Sequence, residues 1–283
     1  MQSQSQLQRG SAIILVATVL CAPCAAQLGL GLSPMRTEVR FEGNLPRSGV
    51  LMLTNESAEK VRVRAELLDF NLDEDANPQF GRAIEKESEY SCRRMLALNP
   101  MEFEVEPGAS ARVRYTLRPP ASEEPRGYHC AAGFTTLPVL SQSTGIGLNM
   151  AVRVVAAFYA TQGTPAVEAE IAGVHLKSGS VSKDGGLSAV VALRNHANVH
   201  FRPAGNLQLL SADGKLMEDL AIPPVPVLPN RTQLVPVRLT KALAPGNYKL
   251  RVRLDLGMRA VQQATADVVI TEEPASNNIA RNQ

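Results

Sequence analysis

The sequence predicts an all-β chain folded as two tandem β-sandwiches, and three observations carry that prediction. Short segments that alternate apolar and polar side chains recur along the chain, and a period of two places one set on each face of a strand. Turn signals built from Gly, Pro, Asn and Asp separate these segments about every 10–15 residues, a spacing that fits a sandwich and not a parallel sheet. The length of 283 residues exceeds one ordinary sandwich and suits two domains of about 100–130 residues each.

Composition narrows the functional classes. An apolar content of 45% is enough to build real cores, which excludes a disordered chain. Aromatic residues make up only 4% and Trp is absent, so the chain lacks the stacking platform that sugar or nucleobase recognition uses. The formal charge of +2 is spread over interleaved Arg and Glu, without the basic stripe of a nucleic-acid binder.

Residues 1–26 have the layout of a cleaved secretory signal. Arg9 is the positive element, Ala12 to Leu20 the apolar stretch, and Cys24-Ala-Ala26 the small-residue cleavage site. The apolar stretch of about nine residues is far short of the roughly 20 that span a bilayer. Thr18, three places before Cys21, argues against lipid attachment at that cysteine. Cleavage leaves Cys92 and Cys130, and two cysteines in an oxidising compartment predict a structural disulfide.

The first domain, residues 27–162, opens on Ser33 to Glu42, where Met35, Thr37, Val39 and Phe41 alternate with Arg36, Glu38, Arg40 and Glu42. Ser48 to Thr54 and Lys60 to Asp69 follow as strands. The polar excursion from Asn71 to Ser91 places Asp69, Asn71, Asp73 and Asp75 at every second position, like the start of a calcium loop. Glu74 stands where that loop needs Gly, and Phe80 where it needs the bidentate Glu, so the stretch reads as a solvated acidic loop. Cys92–Leu98, Met101–Val105, Ala111–Leu117 and Tyr128–Leu137 complete the run before the closing strand. That closing strand, Gly145 to Tyr159, carries Ile146, Leu148, Met150, Val152 and Val154 on alternate positions, then becomes uniformly apolar to a stop at Gly163 and Pro165. Tyr128 stands two residues before Cys130, the spacing of a tyrosine corner, and makes the predicted sandwiches immunoglobulin-like.

The second domain, residues 163–272, repeats the style. Strands are predicted at Val167–Ile171, Gly173–Leu176, Leu187–Leu193, Asn206–Leu210, Leu234–Leu239, Ala244–Leu254 and Ala264–Ile270, and a Pro-rich crossover at Ile222–Pro229. Lys183-Asp-Gly-Gly186 and Ala212-Asp-Gly214 are hairpin turns. Residues 273–283 are a polar, disordered tail. His196 and His200 have the spacing of paired metal ligands on a helix but sit in a turn, with no carboxylate or Cys at ligand spacing. No nucleophile–base pair, phosphate loop or carboxylate pair stands out, so neither an enzyme nor a cofactor, metal or small-molecule substrate is expected.

The order of features resembles the N-terminal domain of periplasmic pilus-assembly chaperones. The resemblance rests on Arg36-Thr-Glu-Val-Arg-Phe-Glu-Gly43, on Leu53-Thr-Asn55, on Asn99-Pro100 and Pro107-Gly108, and on a long strand ending in Phe158-Tyr159. It covers about residues 33–160. It implies a periplasmic protein, with cell-surface exposure as a further option, that protects β-rich, pilin-like subunits. Such protection works by adding a strand to the partner's sheet. By resemblance, the partner-binding residues are Arg36, which would hold the subunit's terminal carboxylate, and Ile146, Leu148, Met150 and Val152, which would enter its sheet. The second basic residue of that family's cleft falls at Ala156, so Arg36 stands either as half of an anchor or as an ordinary exposed strand charge. The alternative is a structural envelope or surface-appendage protein in which the same alternation merely lines a core.

Overall fold

Alternation becomes strand wherever neighbouring segments supply a ladder, and among the described residues it does so 18 times. The computed structural model describes residues 29–81, 88–137, 151–177 and 187–271. The predicted signal segment 1–26, the strand residues Ile146, Leu148 and Met150, the turn at 183–186 and the tail 273–283 lie outside the described residues. Within them every regular element is a strand.

The first sandwich faces two sheets. One orders β1 (Leu30–Ser33), β3 (Arg47–Asn55), β9 (Ser110–Leu117) and β7 (Leu96–Asn99), numbered along the chain. The other orders β2 (Arg36–Arg40), β11 (Arg153–Gln162), β10 (Arg126–Leu137), β4 (Val61–Leu68) and β8 (Glu102–Val105). Leu51 and Leu53, Val61 and Val63, Val113, Phe134 and Phe158 meet between them, while Arg62, Arg64, Arg112 and Arg114 point outward. Cys92 and Cys130 are bonded and buried in this core, and Tyr128 is buried beside them.

The second sandwich faces β12 (Ala169–Leu176), β13 (Ser188–Asn195) and β16 (Thr232–Arg238) against β15 (Leu216–Ala221), β14 (Ala204–Ser211), β17 (Gly246–Asp255) and β18 (Gln262–Ile270). Val191, Leu193, Leu207, Leu209, Val235, Leu250, Val252 and Leu254 fill it. A third, smaller cluster of Leu68, Phe70, Ala131, Tyr159 and Leu228 joins the two halves.

Four details depart from the sequence reading, each for a local reason. The predicted first strand divides at Pro34, which has no N–H to continue a ladder, so β1 joins one sheet and β2 the other. The acidic excursion contains the hairpin β5 (Phe70–Leu72) and β6 (Pro78–Phe80), drawn together by the Phe70 and Phe80 rings at 5.6 Å. Asp73 closes its turn by accepting the N–H groups of Asp75 and Asn77, an Asx cap the calcium comparison did not anticipate. The two strands expected around Ala172 are one, β12, with a bulge between Ile171 and Gly173. Finally β11 runs to Gln162, because Thr161 and Gln162 still pair with Gly127 and Arg126. Gly163, at φ 62°, then ends it.

Candidate functional site

The closing strand that the sequence reading singled out is described from Arg153 to Gln162 as β11, whose side chains divide by parity. Ala156, Phe158 and Ala160 are buried in the first core, and Val152 and Val154 pack half-buried against it. Arg153, Val155, Ala157 and Tyr159 point the other way, toward the second sandwich. Ala156 is completely buried and paired with Ala132, so a cation at that position would lie inside the sandwich and not in the cleft. Arg153 is on the cleft side and bonds Glu66 at 2.6 Å across β10. Gly133 permits that crossing, since a Cβ there would lie 3.3 Å from both Arg153 Nε and Glu66 Cγ.

The edges of β11 differ along its length. On one side β10 accompanies it from Arg153 to Gln162. On the other, β2 pairs in parallel only with Ala157 to Thr161. Thr136 N donates to Val152 O, whereas Ala157 N donates to Met35 O and Phe41 N to Thr161 O. Even-numbered backbone groups therefore face β10 and odd-numbered ones face the β2 side. Among the described residues nothing pairs with the N–H and C=O groups of Arg153 and Val155 on that side. The result is a short open edge with Val152 and Val154 beside it. Val152 lies just before β11, half-buried against its own core, and Ile146, Leu148 and Met150 precede the described part.

Arg36 begins β2 at the point where the open edge stops, opposite Ala157 in register. Its side chain is 56% exposed, and its Nε lies 3.9 Å from Glu38 Oε1. Glu38 is already held by the second sandwich: His200 Nε2 and Arg202 Nε each bond it at 3.2 Å. Burial works against the charged carboxylate, but these two partners together hold Glu38 below its usual range. The Arg202 guanidinium also lies 4.8 Å from the centre of the Tyr159 ring, and the His200 ring 4.7 Å from it. Burial pushes the Tyr159 hydroxyl up, so it stays a neutral hydrogen-bonding group.

A groove of about 550 Å³ runs along this face, lined by Met35, Phe70, Phe80, Val155, Ala157 and Tyr159 among others. Met35, expected to face inward, is 61% exposed at its mouth because β2 leaves the sheet edge there. The structure does not gather the alternating acidic residues: Asp69 bonds Ser91 and Arg93, while Asp75 bonds Lys177. His196 and His200 bond different carboxylates, Glu170 and Glu38. Sequence reasoning missed Glu38, His200, Arg202 and Tyr159 as a unit. Alternation marks a face, but it carries no signal for a partner 162 positions away.

In architecture the described chain is two β-sandwiches in tandem, joined by the small cluster around Phe70, Tyr159 and Leu228. No protein-family model matches the chain, and no curated protein matches it either. Among solved structures it is similar to the class 5 fimbriae chaperone CfaA, with 11% identity, a TM-score of 0.44, and 86% of this chain and 100% of that one covered. It is also similar to the E. coli chaperone DraB, with 13% identity, a TM-score of 0.41 and 87% and 97% covered. A chain of the Salmonella enterica SafA pilin–SafB chaperone complex matches with 10% identity, a TM-score of 0.43 and 85% and 97% covered. At these identities the likeness is one of shape and assigns no residue a role.

Proposed function

We propose that this chain is a periplasmic chaperone-like protein that binds and stabilises secreted, β-rich, pilin-like subunits by strand addition. In this reading residues 27–162 form the subunit-binding domain, 163–272 the second domain, and 1–26 the removed signal. The observation that carries it is the open edge at Arg153 and Val155. Unpaired strand backbone is a template for another strand. The apolar parity of Val152 and Val154 continues upstream through Met150, Leu148 and Ile146. Arg36, exposed at the end of that edge, is placed to meet the carboxylate of an incoming chain terminus, a charge-assisted contact that one guanidinium can make alone.

A second reading, a structural envelope or appendage protein, is favoured by one observation: Val152 and Val154 already lie half-covered by their own core. A pull-down from periplasmic extract separates the two. Enrichment of pilin-like subunits by the wild type, lost in a folded Leu148→Glu variant, supports strand addition. Recovery of no β-rich partner, or equal recovery by the variant, overturns it.

A further inference from the structure

A second opening lies at the same junction but away from β11, and its charges do not balance. Residues of the first sandwich (Asn71, Ser88, Glu89 and Tyr90) and of the second (Arg194, Pro229 to Gln233) wall a cavity of about 900 Å³. Arg194, next to last in β13, holds Nη1 3.1 Å from Thr232 Oγ1, and among the described residues nothing else engages its guanidinium. Arg231 is exposed, and its carbonyl accepts from Asn195 N, which fixes the residue beside Arg194. Among the described residues no carboxylate pairs with either arginine.

The acids nearby are already engaged. Glu89, the carboxylate among the described residues of the wall, accepts from Arg126 Nη2 at 2.9 Å. Asp73 caps its hairpin turn, Asp75 holds Lys177, and Asp69 holds Ser91 and Arg93. The wall itself is firmly built. Asn230 adopts φ 54°, a conformation a side chain rarely takes, and its Nδ2 donates to Tyr90 Oη of the other sandwich at 2.7 Å. Gln233 Nε2 likewise crosses to Asp73 O at 2.9 Å.

We propose that this cavity is an oxyanion-binding site, distinct from the β11 edge, in which Arg194 and Arg231 receive a ligand carrying two or more carboxylate or phosphate oxygens. Guanidinium forks match such groups in pairs. Because both sandwiches wall the cavity, a bound anion fastens their relative orientation. The anion's source is either an acidic segment of a protein or a free polyanion, and two probes tell these apart.

Isothermal titration of the purified chain at low ionic strength would use inorganic pyrophosphate in one arm and an end-capped hexaglutamate peptide in the other. The expected result is saturable, salt-sensitive binding of at least one probe. It should weaken at least tenfold in Arg231→Gln and in Arg194→Gln and remain unchanged in Arg112→Gln, an exposed arginine on the outer face of the first sandwich. Arg231 is exposed, so its variant keeps the fold, which a matching circular dichroism spectrum and melting temperature would verify. Pyrophosphate binding alone identifies a free anion, and peptide binding alone an acidic segment. Absence of binding for both probes overturns the proposal, as do wild-type affinities in the two arginine variants or an equal loss in Arg112→Gln.

Discussion

Asn55 and Asn195 hold the same turn in the two sandwiches. Each is the last residue of its strand, β3 or β13, and each is fully buried. Each accepts on Oδ1 from the N–H two residues on, Ser57 or Ala197. Each donates from Nδ2 to the carbonyl four residues on, at 2.7 Å to Glu59 and 2.8 Å to Val199. Each also reaches a distant carbonyl, Val105 at 3.1 Å or Val227 at 3.0 Å. One amide thus satisfies the buried ends of a strand that would otherwise be left unpaired.

Asn55→Ala and Asn195→Ala should therefore each lower stability by about 2–3 kcal/mol, because buried backbone groups lose their partners. Asp at either position should be worse, since a carboxylate cannot donate to the carbonyls that Nδ2 now serves. Urea unfolding at neutral pH measures both. A loss under about 0.5 kcal/mol would show that water replaces the amide.

His129 sets a pH dependence. It is 5% exposed, with its ring 5.2 Å from that of Phe70, and it is held down to about 4 from an ordinary 6.5. The unfolded chain takes up this proton first as pH falls, so the stabilisation is complete above about 6.5 and is lost between there and about 4. On the order of 3 kcal/mol is involved. Glu38, held below its usual range, adds its own loss as pH falls from the ordinary carboxylate value of 4.5 down through its depressed one, where its carboxylate protonates and releases His200 and Arg202. In His129→Gln the stability should vary less between pH 6.5 and 4, whatever its absolute value. An unchanged slope would assign the acid sensitivity elsewhere.

The Cys92–Cys130 bridge closes a loop spanning 38 positions. Its removal by Cys92→Ala with Cys130→Ala should cost up to about 4 kcal/mol, mainly through a less restricted unfolded chain. Denaturant midpoints of the oxidised wild type and the double variant test this. Reduced wild type should approach the variant.

Val155 offers a test of the open edge that spares the core. Its N–H faces away from β10, and proline is tolerated where a strand's N–H has no ladder partner. Val155→Pro should cost little stability while abolishing capture of a β-rich subunit. Proline at Val154, whose N–H faces β10, should destabilise the sandwich itself. Capture assays with thermal melts would distinguish the two. Undiminished capture by Val155→Pro would remove this edge from the proposed mechanism.

The alternation of residues such as Val61, Val63 and Ala65 with Arg62 and Arg64 was enough to determine an all-β chain with two cores, because side-chain direction in a strand follows position alone. Cysteine count and compartment likewise sufficed for the Cys92–Cys130 bond. The asparagines are also legible in the sequence: Leu53-Thr-Asn55 and Leu193-Arg-Asn195 each end an apolar run at a turn. Period two says which side chains share a face, and nothing about which backbone edge finds a neighbour. Tertiary structure alone decided that β2 stops at Ala157 and leaves Arg153 and Val155 open. It also buried Ala156, brought Arg202 and His200 to Glu38, and left Arg194 and Arg231 together with no carboxylate partner among the described residues. These outcomes depend on how the two sandwiches meet, and that meeting joins residues too far apart in the chain for any local pattern to encode.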